Sequence, residues 1–267
     1  MKVGIIILSW NSAERIEDCL NSVRKYLDCY IYVVDNNSED NSVEIISKNF
    51  PEVNLIKLPV NHGYCGGCNV GIKKAIEDNC EAIFLLNDDA IVVEDFLTPI
   101  KDLMQSDNEI GIIGPVIVEA KNEEIIQFGG GKINKWTASF KAYNKGKKYQ
   151  KQESLSDTDY VIGAGMMISK ILIDKIGYFD EEYYPAYVEE IDFCYRAKKS
   201  GFALKIYNGA RLKHIGEASR GSYGTGFTRV FKNKFLFSIK HCNPLEFSVA
   251  CFFICSRILI YKLIGRI

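Results

Sequence analysis

The sequence predicts an α/β fold: a mostly parallel central sheet flanked by helices, followed by an apolar helical segment at the C-terminus. Three observations predict it. Short apolar runs alternate with stretches of helical periodicity through the first 118 residues. Each of those runs ends in a cluster of polar residues. Residues 245–263 are apolar or aromatic almost throughout, broken by Arg257 and Lys262. Repeated strand–helix units cover both faces of a parallel sheet with helices, so their strands read as unbroken apolar runs.

The expected elements follow in order. Residues 3–8 are a continuous apolar run bounded by polar residues, which suits a buried parallel strand. Asn11 and Glu14 stand at capping spacing ahead of Ile16, Cys19, Leu20, Val23 and Leu27, which recur along one helix face. Residues 30–34 read as a second strand, closed by Asp35-Asn36-Asn37-Ser38. A helix over 39–48 and a strand over 53–58 come next. Residues 66–78 read as a helix with a glycine-rich start, 82–86 as a fourth strand, 94–105 as a helix and 111–118 as extended chain. Residues 119–159 break the rhythm: rich in Lys, Gly, Asn and Gln, they predict a hairpin-like excursion over the site. Apolar character returns over 159–173, around Gly163-Ala164-Gly165. A helix over 189–200, a strand over 202–207 and a Gly/Ser-rich mobile loop over 209–228 follow. The expected organisation is one domain over 1–240, its halves meeting at residue 118, and a tail over 241–267.

The chain's 267 residues suit one such domain with an appendage. With 47% hydrophobic and 25% charged residues it is a folded chain, not a disordered one. A net charge of -1 argues against a nucleic-acid partner, whose binders carry a basic field. Any anionic ligand must then be held by a local site. The first eight residues lack the long apolar core and small-residue cleavage site of a secretory signal. With nine cysteines, this predicts a reducing, cytoplasmic setting and free thiols. Cys65-Gly66-Gly67-Cys68 spells a CxxC with no second pair to complete a zinc site. It reads either as a redox pair at a helix start or as a tight glycine turn between two small side chains.

Open parallel sheets bind ligands at the carboxyl ends of their strands. There the sequence places Ser9-Trp10-Asn11, Asp35-Asn36-Asn37-Ser38, Asn61-His62-Gly63-Tyr64 and Asn87-Asp88-Asp89. One polar strand end is ordinarily a turn or a helix cap; four in succession point to one site. No glycine lies between Ser9 and Arg15, so the GxGxxG dinucleotide fingerprint is absent, and so is a Gly-Lys-Ser/Thr phosphate loop. A carboxylate pair with a divalent cation is the remaining simple way to hold phosphate. Asp88 and Asp89, directly after the apolar run 83–86, fit that; an Asx turn capping the next helix is the competing reading.

These strings, extended to Val33-Val34-Asp35-Asn36-Asn37-Ser38, Asn61-His62-Gly63-Tyr64-Cys65-Gly66-Gly67-Cys68-Asn69 and Leu85-Leu86-Asn87-Asp88-Asp89, resemble the ordered motifs of family 2 glycosyltransferases, and within them a rhamnosyltransferase-like subgroup. Gly163-Ala164-Gly165-Met166, Gly177-Tyr178-Phe179-Asp180-Glu181 and Glu189-Glu190-Ile191-Asp192-Phe193-Cys194-Tyr195-Arg196 carry the resemblance on to about His214. It implies a Rossmann-like GT-A fold with the donor nucleotide on the first half and the acceptor on the second. It implies that Asp35 accepts a hydrogen bond from the imide N–H of uracil or thymine. Trp10 and Asn11 would line the base and ribose pocket, with Ser9 and Asn37 among the donor contacts. Asn61, Gly66, Gly67 and Asn69 would shape the cradle for the nucleotide sugar, and Asn87 and Asp88 would lie near ribose and sugar. Asp89 and His214 would ligate Mn²⁺ or Mg²⁺, beside a loop at 216–226 that closes on the donor. Gly165 and Met166 would meet the acceptor. Asn87 stands where the family usually has Asp.

The implied reaction is inverting transfer of a sugar from a UDP- or dTDP-sugar to a hydroxyl of a saccharide or lipid-linked saccharide, as in cell-surface polysaccharide or O-antigen assembly. A nucleoside diphosphate leaves as a stable anion, so the protein chiefly needs a base for the acceptor hydroxyl. By position that is Glu190, with Glu189 beside it, although the family usually has Asp at this second place. A helix N-terminus stabilises a carboxylate and works against a raised pKa; desolvation and the neighbouring acid work for it. Asp192 and Arg196, four apart, read mainly as a structural ion pair. Two other classes compete. A nucleotidyltransferase would want a basic glycine-rich first loop, which Ser9-Trp10-Asn11-Ser12 is not. A non-catalytic, GT-A-like carbohydrate-binding protein would not need the acidic pair.

Residues 245–263 approach the length of a membrane span, yet Arg257 sits in their second half. Either Arg257, Lys262 and Arg266 reach lipid headgroups from an interfacial helix, giving peripheral contact through 245–264 at the inner face of the cell membrane, or the helix packs on the domain.

Overall fold

The computed structural model describes residues 1–216 and 226–263. The chain opens with β1 (Val3–Ser9), α1 (Ile16–Tyr26), β2 (Tyr30–Asp35), α2 (Ser42–Asn49), β3 (Asn54–Lys57), α3 (Gly63–Glu77) and β4 (Ala82–Asn87). A short β5 (Ala90–Val92), α4 (Leu97–Ser106) and the long β6 (Ile110–Glu119) complete the first half. The excursion beyond it contains β7 (Asn122–Phe128), β8 (Gly131–Asn134), a 3₁₀ turn (Lys135–Thr137), β9 (Ser139–Ala142) and β10 (Leu155–Asp157). Then come β11 (Gly165–Ser169), α5 (Lys170–Ile176), α6 (Glu189–Lys199), β12 (Ala203–His214), α7 (Gly226–His241) and α8 (Pro244–Leu263).

The periodicities do what they predict. Ile16, Cys19, Leu20, Val23 and Leu27 are all buried under α1, and β1 is buried along nearly its whole length. The expected cap of α1 is not made. Asn11 sits in the left-handed region at φ +48, and its side-chain oxygen accepts from the amide of Glu39. It ties two loops together, a partner no local pattern reveals.

One ten-stranded sheet runs β10-β12-β6-β11-β4-β1-β2-β3, with β5 beside β12 and β7 beside β6. Pairing is parallel from β4 through β1 and β2 to β3, and again between β6 and β12. β11 runs antiparallel between β4 and β6, so the sheet is mixed. A buried apolar strand reads alike in either direction, which is why the sequence pattern does not reveal this reversal. Because β12 lies along β6, the sheet is continuous across the boundary expected at residue 118.

Two differences from expectation lie near the C-terminus. Residues 209–214 belong to β12, not to a loop; Leu212 and Ala210 are buried against neighbouring strands. At the other end of that expected loop, 226–228 open α7, and 217–225 lie outside the described residues. The tail helix α8 is one face packed and one face exposed. Ala250 and Ile254 are buried against Phe231 and Ala138, while Leu245, Phe252, Leu259 and Ile260 remain exposed. Arg257 donates to the carbonyl of Thr137 at 3.3 Å, so it is tied to the domain and does not reach outward; Arg266 lies outside the described residues.

Candidate active site

The carboxyl ends of the parallel strands converge through their register. Ser9 pairs with Asp35, Asp35 with Lys57, and Leu8 with Asn87. At the end of β2, Asp35 is 3% exposed. One carboxylate oxygen, Oδ2, accepts from the amide of Ser38 at 3.2 Å, while buried Oδ1 has no partner among the described residues. An unpaired carboxylate oxygen costs free energy in a dry site, so this position calls for an N–H donor from a ligand. The walls around it are held by amides. Asn36, fully buried, donates to Asn61 Oδ1 and to the carbonyl of Gly63, and accepts from the amide of His62 at 2.8 Å. Asn37 takes φ +65 and stays exposed, a conformation asparagine tolerates better than most side chains.

At the end of β4, Asp88 and Asp89 point to different partners. Asp88 accepts from Arg15 at 2.9 Å, and Arg15 also donates to the carbonyls of Trp10 and Asn11. Burial pushes the Asp88 carboxyl up, and Arg15 offsets part of that. Asp89 is held below the ordinary carboxylate range: burial opposes its charge, but His214, the Gly216 amide and Arg15 outweigh it. His214 Nδ1 donates to Gln127 Oε1 at 2.7 Å, which turns Nε2 toward Asp89. That nitrogen lies 3.1 Å from Asp89 Oδ1 and 3.1 Å from the Asn87 amide nitrogen. A lone pair facing a carboxylate oxygen is repulsive unless a proton or cation stands between them. These residues therefore fit a divalent cation as two ligands. Among the described residues no third His, Cys, Asp or Glu joins them, which leaves coordination positions for a ligand's oxygens.

The acidic pair opens α6. Its entrance is strained: Tyr187 and Val188 take φ +83 and +77, and a β-branched residue rarely occupies that region. Glu189 is 4% exposed and its Oε2 has no partner among the described residues. Burial, then the charge of Glu190, pushes its carboxyl far up. Glu190 opens partly to the cleft and accepts from the amide of Gly163 at 2.9 Å. Burial raises it too, while the Gly163 amide, its own amide and His214 pull it down. Desolvation outweighs the helix N-terminus, and the result is a carboxylate with increased proton affinity.

A family model described as glycosyl transferase family 2 matches residues 4–177. The chain belongs to this family. It is 30% identical over 203 residues to the low-salt glycan biosynthesis hexosyltransferase Agl10 of Haloferax volcanii, covering 76% of this chain and 63% of that protein. It is 24% identical over 254 residues to the dTDP-rhamnosyl transferase RfbF of Shigella flexneri, covering 91% of this chain and 82% of that one. Among solved structures, GalNAc-T7 with UDP, GalNAc and Mn²⁺ matches at a TM-score of 0.74 and 16% identity, over 92% of this chain and 49% of the other. That likeness shows a GT-A fold. The chain thus spans less than two thirds of the hexosyltransferase and about half of the GalNAc-T7 chain.

Within this family 2 chain, several expected contacts have other employment. Ser9 is fully buried with its hydroxyl on Ser12, beneath the pocket. Asp88 braces the first loop through Arg15. Asn69 is a clip between halves: its amide nitrogen donates to Phe179 O and Glu181 Oε1, and its oxygen accepts from the Phe179 amide. Gly67 faces the sheet, where a Cβ would stand 2.2 Å from Leu8 Cδ1, so it allows α3 to pack on β1 and does not cradle a ligand. A Cβ on Gly66 would meet His62 at 2.7 Å. Gly165 and Met166 are buried inside β11 and cannot meet an acceptor; a segment this apolar goes into the sheet. The residue of that motif at the site is Gly163, where a Cβ would stand 1.9 Å from the Tyr64 hydroxyl oxygen and 3.0 Å from Glu190 Oε1. Cys65 and Cys68 are buried free thiols that burial pushes well up, which removes the redox reading.

Other contributors are invisible to motif reading. Gln127 orients His214, and Arg15 links Trp10 and Asn11 to Asp88. Asn233, fully buried on α7, aims its amide nitrogen at the carbonyls of Tyr183, Ala186 and Tyr187 at 3.0, 3.0 and 2.8 Å. It holds the strained loop that presents Glu189 and Glu190. His241, also on α7, lies 2.6 Å from Asp192, which Arg196 binds at 2.7 Å. Burial opposes the Asp192 charge, yet the hydrogen bond with His241 and the charge of Arg196 keep it below the ordinary range. Only the ion pair at i, i+4 is legible from sequence.

Proposed function

We propose that this chain transfers a sugar, with inversion, from a UDP- or dTDP-sugar to a hydroxyl of a saccharide or lipid-linked saccharide in cell-surface glycan assembly. The observation that carries the reading is Asp35 Oδ1, a buried acceptor at the end of β2 without a partner among the described residues. The imide N–H of uracil or thymine is the donor it suits. A guanine or adenine base also carries N–H donors, but the kinship to a dTDP-rhamnosyl transferase favours the pyrimidine.

Asp35 anchors the base, and Trp10, Asn11 and Asn37 border it. Asp89 and His214 would hold Mn²⁺ or Mg²⁺, which when bound neutralises diphosphate charge and so favours departure of the nucleotide. Glu190 takes the proton of the acceptor hydroxyl. Gly163 N–H fixes its direction, and burial gives it the proton affinity a base requires. Burial raises the proton affinity of the neighbouring Glu189 as well, which disfavours two negative charges side by side there. Attack from the face opposite the leaving group inverts the anomeric carbon. The exposed apolar side of α8 supports a site of action at the inner face of the membrane, with α8 lying on the lipid surface.

The test incubates the chain with a panel of UDP- and dTDP-sugars, with and without Mn²⁺, and measures nucleotide release. Release from one donor, dependent on metal and lost in Asp89→Ala, is the expected result. Failure of UDP and dTDP to bind with Mn²⁺ by calorimetry would overturn the reading.

A further inference from the structure

A cleft of about 520 Å³ lies between the Lys135–Thr137 turn and the C-terminal part of α6. Four lysines line it, Lys132, Lys135, Lys198 and Lys199, against one acid, Asp159. The chain as a whole carries a net charge of -1, so this concentration of cations is local. Asp159 is shared: one oxygen lies 3.3 Å from Lys132 Nζ and the other is paired with Lys198. Lys135 is tied to Glu246 of α8 at 2.9 Å. Lys199 has no ion-pair partner among the described residues. A concave surface that gathers more cations than anions concentrates positive potential and suits a phosphate.

Two neighbouring features say what carries that phosphate. Trp136, on the rim, is 45% exposed. Next to it, α8 packs on the same turn through Arg257 and Glu246 and leaves Leu245, Phe252, Leu259 and Ile260 exposed. An amphipathic indole, a set of lysines and an exposed apolar helix are the three devices by which a protein meets a bilayer surface. Here they adjoin. A soluble anion would use the lysines and leave the other two without purpose.

We infer that this cleft is a lipid-binding site that takes the phosphate of an anionic membrane phospholipid while α8 lies in the interface beside it. The inference rests on the membrane reading of α8 above and adds a headgroup site to it. It gives the enzyme a fixed orientation on the membrane, because one electrostatic pocket and one apolar helix define a plane where a helix alone leaves rotation free.

The sequence has two tryptophans, so Trp10→Phe leaves Trp136 as the only indole emitter. That variant is mixed with phosphatidylcholine vesicles with or without phosphatidylglycerol, and both sedimentation and emission are followed. With phosphatidylglycerol the protein should sediment and Trp136 emission should move to the blue. Adding Lys132→Gln and Lys199→Gln should weaken binding by about 25-fold, from roughly fivefold per lysine at an anionic surface. Raised salt should weaken it as well. Sedimentation without any change at Trp136, or a lysine double variant within twofold of its parent, would overturn the cleft and leave the membrane reading of α8 intact. No sedimentation with either vesicle would remove both. A matching blue shift on addition of inorganic pyrophosphate alone would make the cleft a site for a soluble anion and overturn the lipid assignment.

Discussion

The nucleotide end of the cleft and its acidic end are built in opposite ways. Asp35 and Asn36 stand at the end of β2, and Asn36 ties that end to the loop after β3 through Asn61, His62 and Gly63, all within the first 63 residues. Glu189 and Glu190 depend on segments far apart: the Gly163 amide, the strained turn at Tyr187 and Val188, and Asn233 from α7. The first arrangement follows from strand order alone. The second exists only when the whole chain has packed. Recognition of the base should then be robust to damage around α6 and α7, whereas turnover should not.

Substitutions can break or sharpen that contrast. Glu190→Gln should lower turnover about 10²–10⁴-fold with nucleotide affinity unchanged, measured by product formation and by calorimetry with UDP or dTDP. Equal loss of both would erase the distinction between the two ends. Asp35→Ala should do the reverse, weakening nucleotide binding by about 10–100-fold through loss of a charge-assisted hydrogen bond. Asn233→Ala leaves the carbonyls of Tyr183, Ala186 and Tyr187 without this donor and should cost about 1–3 kcal/mol in urea unfolding. Its turnover should fall further than its nucleotide affinity. If nucleotide binding falls in step, α7 supports the fold generally and not the acidic pair.

The smallest effect is one of pH. Glu189 binds its proton more tightly folded than unfolded, because burial and the charge of Glu190 raise it above the ordinary value of 4.5. Above that pH the unfolded chain releases a proton that the folded chain keeps, so stability falls as pH rises through the window. Glu189→Gln has no such proton. Its melting temperature should match or trail wild type below pH 4.5 and gain on it steadily above. A constant gap across that range would mean that Glu189 is not buried as described.

Legibility in sequence divides along the same line. The strand–helix alternation, the helix faces and the polar strand ends read directly, because period and burial are local properties. The direction of β11 does not, since its five buried residues pair equally well either way. Gly163, Gly165 and Gly67 look alike in sequence; one admits Glu190 and Tyr64, one is sealed in the sheet, and one lets α3 approach Leu8. What separates them is the neighbour each would strike.

From the amino-acid order alone come the α/β class, the family kinship, the convergence of Asp35, Asn61 and Asp89 on one edge, and the position of the acidic pair. Each rests on spacing along a strand, a helix or a motif. The tertiary structure alone decided which of those polar groups are spent on the protein itself. Ser9, Asn69 and Asp88 are satisfied internally, while Asp35 Oδ1 and Glu189 Oε2 are not. A buried polar atom is paid for by whatever partner lies within about 3 Å, and for Asn69 and Asn233 that partner comes from more than forty positions away.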